Sequence, residues 1–102
     1  MIKLIEDNRA AIEALCSKHH VGRLELFGSA ADGTFHEESS DLDFLVEFRA
    51  GHPDGFFHQF FDFQADLETL LGRKVDLVER CAMKNPYFIA AVNKTRTLLY
   101  AA

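Results

Sequence analysis

The run Asp41-Leu42-Asp43-Phe44-Leu45-Val46-Glu47-Phe48 decides the architecture. Apolar and polar residues alternate along it, the pattern of a strand with one buried face. Leu42, Phe44, Val46 and Phe48 fall on one side, and Asp41, Asp43, Leu45 and Glu47 on the other. Upstream, Arg23 to Phe27 (RLELF) alternates in the same way until Gly28-Ser29 breaks it. Downstream, Val75 to Glu79 (VDLVE) reads as a third strand, and Thr97 to Tyr100 as a final strand or an extended tail.

Helical spacing fills the gaps between these strands. Leu4, Ile5, Ile12, Leu15 and Cys16 predict one amphipathic helix over residues 3–19. After the turn-rich stop Gly51-His52-Pro53-Asp54-Gly55, residues 56–71 place Phe57, Phe60, Phe61, Gln64, Leu67, Leu70 and Leu71 near one stripe. Gly72 closes that helix as a C-terminal cap. Asn85-Pro86 opens a short helix to about Asn93, with proline in the first turn, where its missing N–H costs nothing. The order helix, strand, strand, helix, strand, helix predicts an α+β fold, an α/β sandwich with a small mixed sheet and flanking helices.

Composition limits the function classes. A chain of 102 residues suits one domain, residues 1–102. With 48 % hydrophobic and 26 % charged residues it belongs with soluble globular chains. The net charge of −5 comes with scattered basic residues, which argues against gripping duplex nucleic acid through its phosphates. Acidic balance suits metal ions and basic partners instead. Cys16 and Cys81 fit no metal-ligand spacing and read as small core residues in a reducing compartment. No segment approaches the roughly 18 apolar residues of a membrane span. The N-terminus turns acidic too early for a signal peptide, so a cytoplasmic location is expected.

The polar face of 41–48 carries the chemistry. Asp41 and Asp43 leave the same side of a strand and can share one or two divalent cations. Left without a cation, like charges that close raise a pKa. If VDLVE pairs beside DLDFLVEF, Asp76 joins them, and three acids on one sheet face suit in-line displacement at phosphorus. Gly28-Ser29 follows a strand and precedes Ala30-Ala31, which can open a helix. Glycine permits close approach of a ligand to the backbone, and free N–H groups with a serine hydroxyl suit a phosphate. Alone, a D-x-D pair is common on exposed strands and Gly-Ser is most often a plain turn.

Other residues carry weaker signals. His19, His20, His36, His52 and His58 lack paired ligand spacing and read as surface or helix-end residues, with His36 between the two motifs. The Phe56-Phe57 and Phe60-Phe61-Phe63 cluster reads as core. Any Phe left exposed could serve a homodimer or partner surface. Tyr87 and Tyr100 read as packing residues.

Taken in order, Leu26-Phe27-Gly28-Ser29-Ala30-Ala31, Ser40-Asp41-Leu42-Asp43-Phe44-Leu45-Val46 and Val75-Asp76-Leu77-Val78 resemble the minimal nucleotidyltransferase (MNT) proteins, the smallest of the DNA polymerase beta-like superfamily. The likeness covers most of residues 20–80 and extends to the tail from Lys84 to Tyr100. It implies a nucleotidyltransferase-like fold and Mg²⁺-dependent transfer of AMP from ATP. By position, Gly28 and Ser29 would hold the triphosphate. Asp41 and Asp43 would bind up to two metal ions, and Asp76 would complete the second metal site and help deprotonate the attacking hydroxyl. The resemblance also implies a HEPN-type toxin as partner, with this chain as antitoxin and a toxin tyrosine as acceptor.

One position departs from the family's pattern. Asp32 stands where many members carry Arg, a natural phosphate ligand. Asp32 would repel a triphosphate, and Glu37 and Glu38 add negative charge, unless Arg73 or Lys74 compensates. Two readings therefore stay open: an adenylyltransferase, or an antitoxin that neutralises its partner by binding. Transfer to a small molecule is a third, weakened by the lack of room for an acceptor domain in 102 residues.

Overall fold

The computed structural model describes residues 2–32, 41–49 and 56–102. Helices α1 (Lys3–Asp7) and α2 (Arg9–Lys18) lead into strand β1 (Val21–Phe27) and a single turn of helix, α3 (Ser29–Asp32). Strand β2 (Leu42–Phe48), helix α4 (Phe56–Leu71) and strand β3 (Val75–Glu79) follow. A 3₁₀ turn, helix α5 (Pro86–Thr95) and strand β4 (Thr97–Ala101) complete the chain. The α+β expectation holds: the four strands form one mixed sheet in the order β3-β2-β1-β4. β1 is antiparallel to β2 and β4, while β2 and β3 are parallel and joined across α4. The tail beginning at Thr97 is thus a strand.

Strand alternation gives the sheet two different faces. One buries Leu24, Leu26, Leu42, Phe44, Val46, Val75 and Leu77 against Ile5, Ile12 and Cys16 of α1 and α2 and against Phe63, Leu67 and Leu71 of α4. On the other, Phe27 and Leu45 pack under Val92 of α5. The second patch is small, so α5 covers that face only in part and leaves the aspartates beside it.

Several boundaries differ from the periodicity. The expected helix over 3–19 is two helices, because the Asn8 side chain donates to the Leu4 carbonyl at 2.8 Å and competes with the helical ladder there. In α4 the buried stripe runs through Phe63, fully buried, whereas Phe61 is 58 % exposed. Asp41 lies one residue before β2. Gly72 does close α4, in the left-handed conformation at φ +68°, with its N–H on the Glu68 carbonyl. Asn85 caps α5 by accepting from the Tyr87 and Phe88 amides. Tyr100 packs against the core as expected, but Tyr87 is 85 % exposed.

Two polar residues in the α4 stripe act on the sheet. Gln64 Nε2 donates to the Val75 carbonyl at 2.8 Å, and the Val75 N–H donates to Glu68 Oε2 at 3.0 Å. Among the described strands β3 neighbours only β2, so these side chains satisfy the Val75 backbone on the open side.

Cys16 is buried, and burial pushes its thiol up to about 12, the state of an unreactive core cysteine. His19 ends α2 and meets Asp66 Oδ2 at 2.7 Å. The Cys81 side chain, His36 and His52 lie outside the described residues. None of the described helices is long and apolar enough to cross a membrane.

Candidate functional site

The site is built at the end of the sheet where β1 leaves and β2 and β3 begin. Register places Phe27 opposite Asp43, and Asp43 opposite Asp76. The sequence left open whether Asp76 shares a face with the D-x-D pair. Parallel pairing in this register puts both side chains on the same side of adjacent strands. Asp41 is the outer member, its Oδ2 lying 3.6 Å from Lys74 Nζ. Lys74 thus meets the outer acid, Asp41. Both partners are substantially solvated, so the pair contributes little stability.

Electrostatics single out Asp43. Its carboxyl is raised to about 6, first by burial, then by the charge of Asp76 and a hydrogen bond to it, and last by the charge of Asp41. Two acids sharing a half-buried position resist ionising together unless a cation joins them. Among the described residues, no three His, Cys, Asp or Glu side chains close around a point as a complete metal cage. The donor set is nevertheless that of a hard cation that completes its shell with substrate oxygens: carboxylates only, two adjacent and one outlying.

Gly28 brings the turn against this pair. It is left-handed at φ +75°, where glycine alone is unstrained. A Cβ built on it would lie closer than 3.0 Å to Asp43 Oδ2. The absent side chain is therefore the space the carboxylate uses. Gly28 accepts the Ala31 N–H at 3.0 Å, which starts α3. Its own N–H is not free, as the sequence suggested; it donates to Thr95 Oγ1 at 2.9 Å. What Gly28 offers a ligand is close approach rather than a donor. Asp32 ends α3, but its side chain lies outside the described residues, as do Glu37 and Glu38.

Sequence reasoning missed the groups behind the turn. Glu25 is 2 % exposed on the same sheet face as Asp43. It accepts from Arg96 Nε at 2.5 Å and Nη2 at 2.7 Å, and from Arg23 Nε at 2.6 Å. The Arg96 hydrogen bond holds its carboxyl down at about 2 against the opposing effect of burial, with Arg23 adding to the depression. Arg96 is also the C-terminal cap residue of α5, so this pair fixes the helix end that carries Thr95. The available signal was a lone Glu inside an otherwise apolar strand, with no indication of which of the chain's basic residues it would meet.

A mixed four-stranded sheet with acids and a Gly-Ser turn at one end is an architecture of nucleotide transfer, and comparison with known proteins agrees. Residues 9–99 match the nucleotidyltransferase domain family. The chain belongs to that family and is a nucleotidyltransferase of its minimal kind. A Methanocaldococcus jannaschii relative named "Putative protein adenylyltransferase MJ0128" is 41 % identical over 80 residues, 78 % of each chain. A solved structure described as "Structure of putative minimal nucleotidyltransferase" superposes with a TM-score of 0.75 at 32 % identity, over 94 % of this chain and 95 % of that one. A toxin–antitoxin structure with AMP-PNP matches at TM-score 0.71 and 25 % identity, over 93 % of this chain and 74 % of that one.

Proposed function

We propose that this chain transfers AMP from ATP to a hydroxyl on a HEPN-type protein and serves as the antitoxin of that pair. The observation that carries the reading is the register of Asp43 beside Asp76, with Gly28 packed against Asp43 Oδ2. The adenylyltransferase name of its relative and the toxin–antitoxin neighbour with AMP-PNP support the nucleotide and the partner.

In this reading Asp41, Asp43 and Asp76 hold up to two Mg²⁺ ions. Once bound, Mg²⁺ would neutralise phosphate charge and orient the leaving pyrophosphate. Gly28 and Ser29 hold the triphosphate, Gly28 by letting it approach the backbone and Ser29 through its hydroxyl. The acceptor oxygen attacks the α-phosphorus, the bond to the bridging α–β oxygen breaks, and pyrophosphate departs. The hydroxyl proton passes to Asp76.

The test is Asp43→Asn, which keeps the side-chain volume and removes the charge. Transfer of labelled AMP to the cognate partner should be abolished while the circular dichroism spectrum is retained. Transfer at the wild-type rate would refute the metal assignment. Asp32 favours a second reading, neutralisation by occlusion without transfer. Calorimetric titration with Mg-ATP separates them, since an occluding antitoxin binds its partner tightly and the nucleotide not at all.

A further inference from the structure

Gly28 and Thr95 are 67 residues apart, yet the Gly28 N–H reaches the Thr95 hydroxyl at 2.9 Å. This bond joins the turn that follows β1 to the last residue of α5. The left-handed conformation takes Gly28 out of the strand ladder and it has no side chain of its own, so its backbone is held by its carbonyl, which accepts the Ala31 N–H, and by this bond. Thr95, by contrast, is held on both sides. The Thr97 hydroxyl donates to its carbonyl at 3.1 Å. The next residue, Arg96, grips Glu25 through two nitrogens, binds Asn93 Oδ1 at 2.9 Å, and returns its N–H to the Val92 carbonyl. A β-branched side chain on a helix also has few rotamers. Thr95 is a firmly held acceptor facing the Gly28-Ser29 turn.

We propose that Thr95 is a positioning residue for nucleotide transfer: its hydroxyl sets the Gly28-Ser29 turn against Asp43. It touches neither nucleotide nor metal in this assignment. The Gly28 N–H is spent on holding the backbone in place, so that Ser29 meets the phosphates at a fixed distance from the acids. The inference rests on the reading that Gly28-Ser29 holds the triphosphate.

The experiment compares Thr95→Val, Thr95→Ser and Ser29→Ala in the full chain, by calorimetric titration with Mg-ATP and with adenosine, alongside thermal melting. Losing the acceptor should weaken Mg-ATP binding about five- to tenfold, the worth of one hydrogen bond. Adenosine affinity should not change. Thr95→Ser, which keeps the hydroxyl, should restore Mg-ATP affinity to within about twofold of wild type, and Ser29→Ala combined with Thr95→Val should lose less than the product of the single losses. If Thr95→Val proves unfolded, Thr95→Ala takes its place beside the serine variant. Should Ser29→Ala weaken Mg-ATP binding while the Thr95 variants bind as wild type, Thr95 has no positioning role and the phosphate site stands. Should Ser29→Ala also bind as wild type, the phosphate assignment falls and the role of Thr95 with it. Equal losses in Thr95→Ser and Thr95→Val would assign the effect to packing and overturn the role of the hydroxyl.

Discussion

Gly28→Ala tests the geometry of the site at a single atom. An L-residue at φ +75° costs roughly 1–2 kcal/mol relative to glycine. The new Cβ would also lie closer than 3.0 Å to Asp43 Oδ2, with Asp43 Cγ at 3.4 Å and Asp43 Cβ at 3.6 Å. The carboxylate must turn away, and Asp76 in the adjacent register position limits where it can go. Together the two effects should destabilise the fold by about 2–3 kcal/mol, a fall in Tm of roughly 8–20 °C for a domain of this size. Gly72 provides an internal control. It is also left-handed, at φ +68°, but a Cβ there meets nothing within 4 Å. Gly72→Ala should therefore show only the conformational cost and leave catalysis intact. Pyrophosphate release from Mg-ATP with the cognate acceptor, measured at 15 °C where each variant is shown to be folded, reads the second consequence. Moving Asp43 should lower the rate on the order of 100-fold in Gly28→Ala. If Gly28→Ala melts like Gly72→Ala and retains the wild-type rate, the turn does not press on Asp43 and the account of the site is wrong.

Two further outcomes follow from burial and charge. The folded-state pKa of Glu25, about 2, is below its ordinary value of 4.5, so its contribution is complete above pH 4.5 and is lost as pH falls toward 2. The depression is worth about 3 kcal/mol, and Glu25→Gln should melt lower at pH 7 and show a flatter decline between pH 4.5 and 2; parallel acid profiles for variant and wild type would contradict the buried pair. In α4, Phe63→Ala should cost about 3–5 kcal/mol in urea unfolding and Phe61→Ala less than about 1 kcal/mol, and equal losses would show that the helix faces the sheet differently.

Much of this fold is local in origin and could be read from local pattern. Alternation in DLDFLVEF fixes which side of β2 carries the acids before any partner is known, and the strand's apolar side is indeed the main core. Asn85-Pro86 starts α5 and Gly72 closes α4 through chemistry local to those residues. Legibility fails where tertiary contacts choose among near-equal local options. Five Phe in α4 permit more than one apolar stripe, and the sheet selects the one through Phe63. Asp76 could be named as a candidate because it sits in a short apolar strand, but its place opposite Asp43 depends on a parallel pairing across α4. Thr95, Arg96 and Glu25 carry no motif. Their partners lie about 70 residues away, and a helix-ending Thr-Arg looks like surface. The geometry leaves the three acids and the Gly-Ser turn as the proposed centre, and adds α5 as the element that holds the turn.

The two side chains by which α4 reaches Val75 have a consequence beyond satisfying its backbone. An outermost strand with bare amides and carbonyls invites a foreign strand to join, which is a common start of self-association. Gln64 occupies the acceptor and Glu68 the donor of Val75, so an incoming chain would have to displace an amide and a carboxylate already seated there. The polar interruption of an apolar helix thus works as a guard against strand addition, stationed beside an acid of the proposed centre.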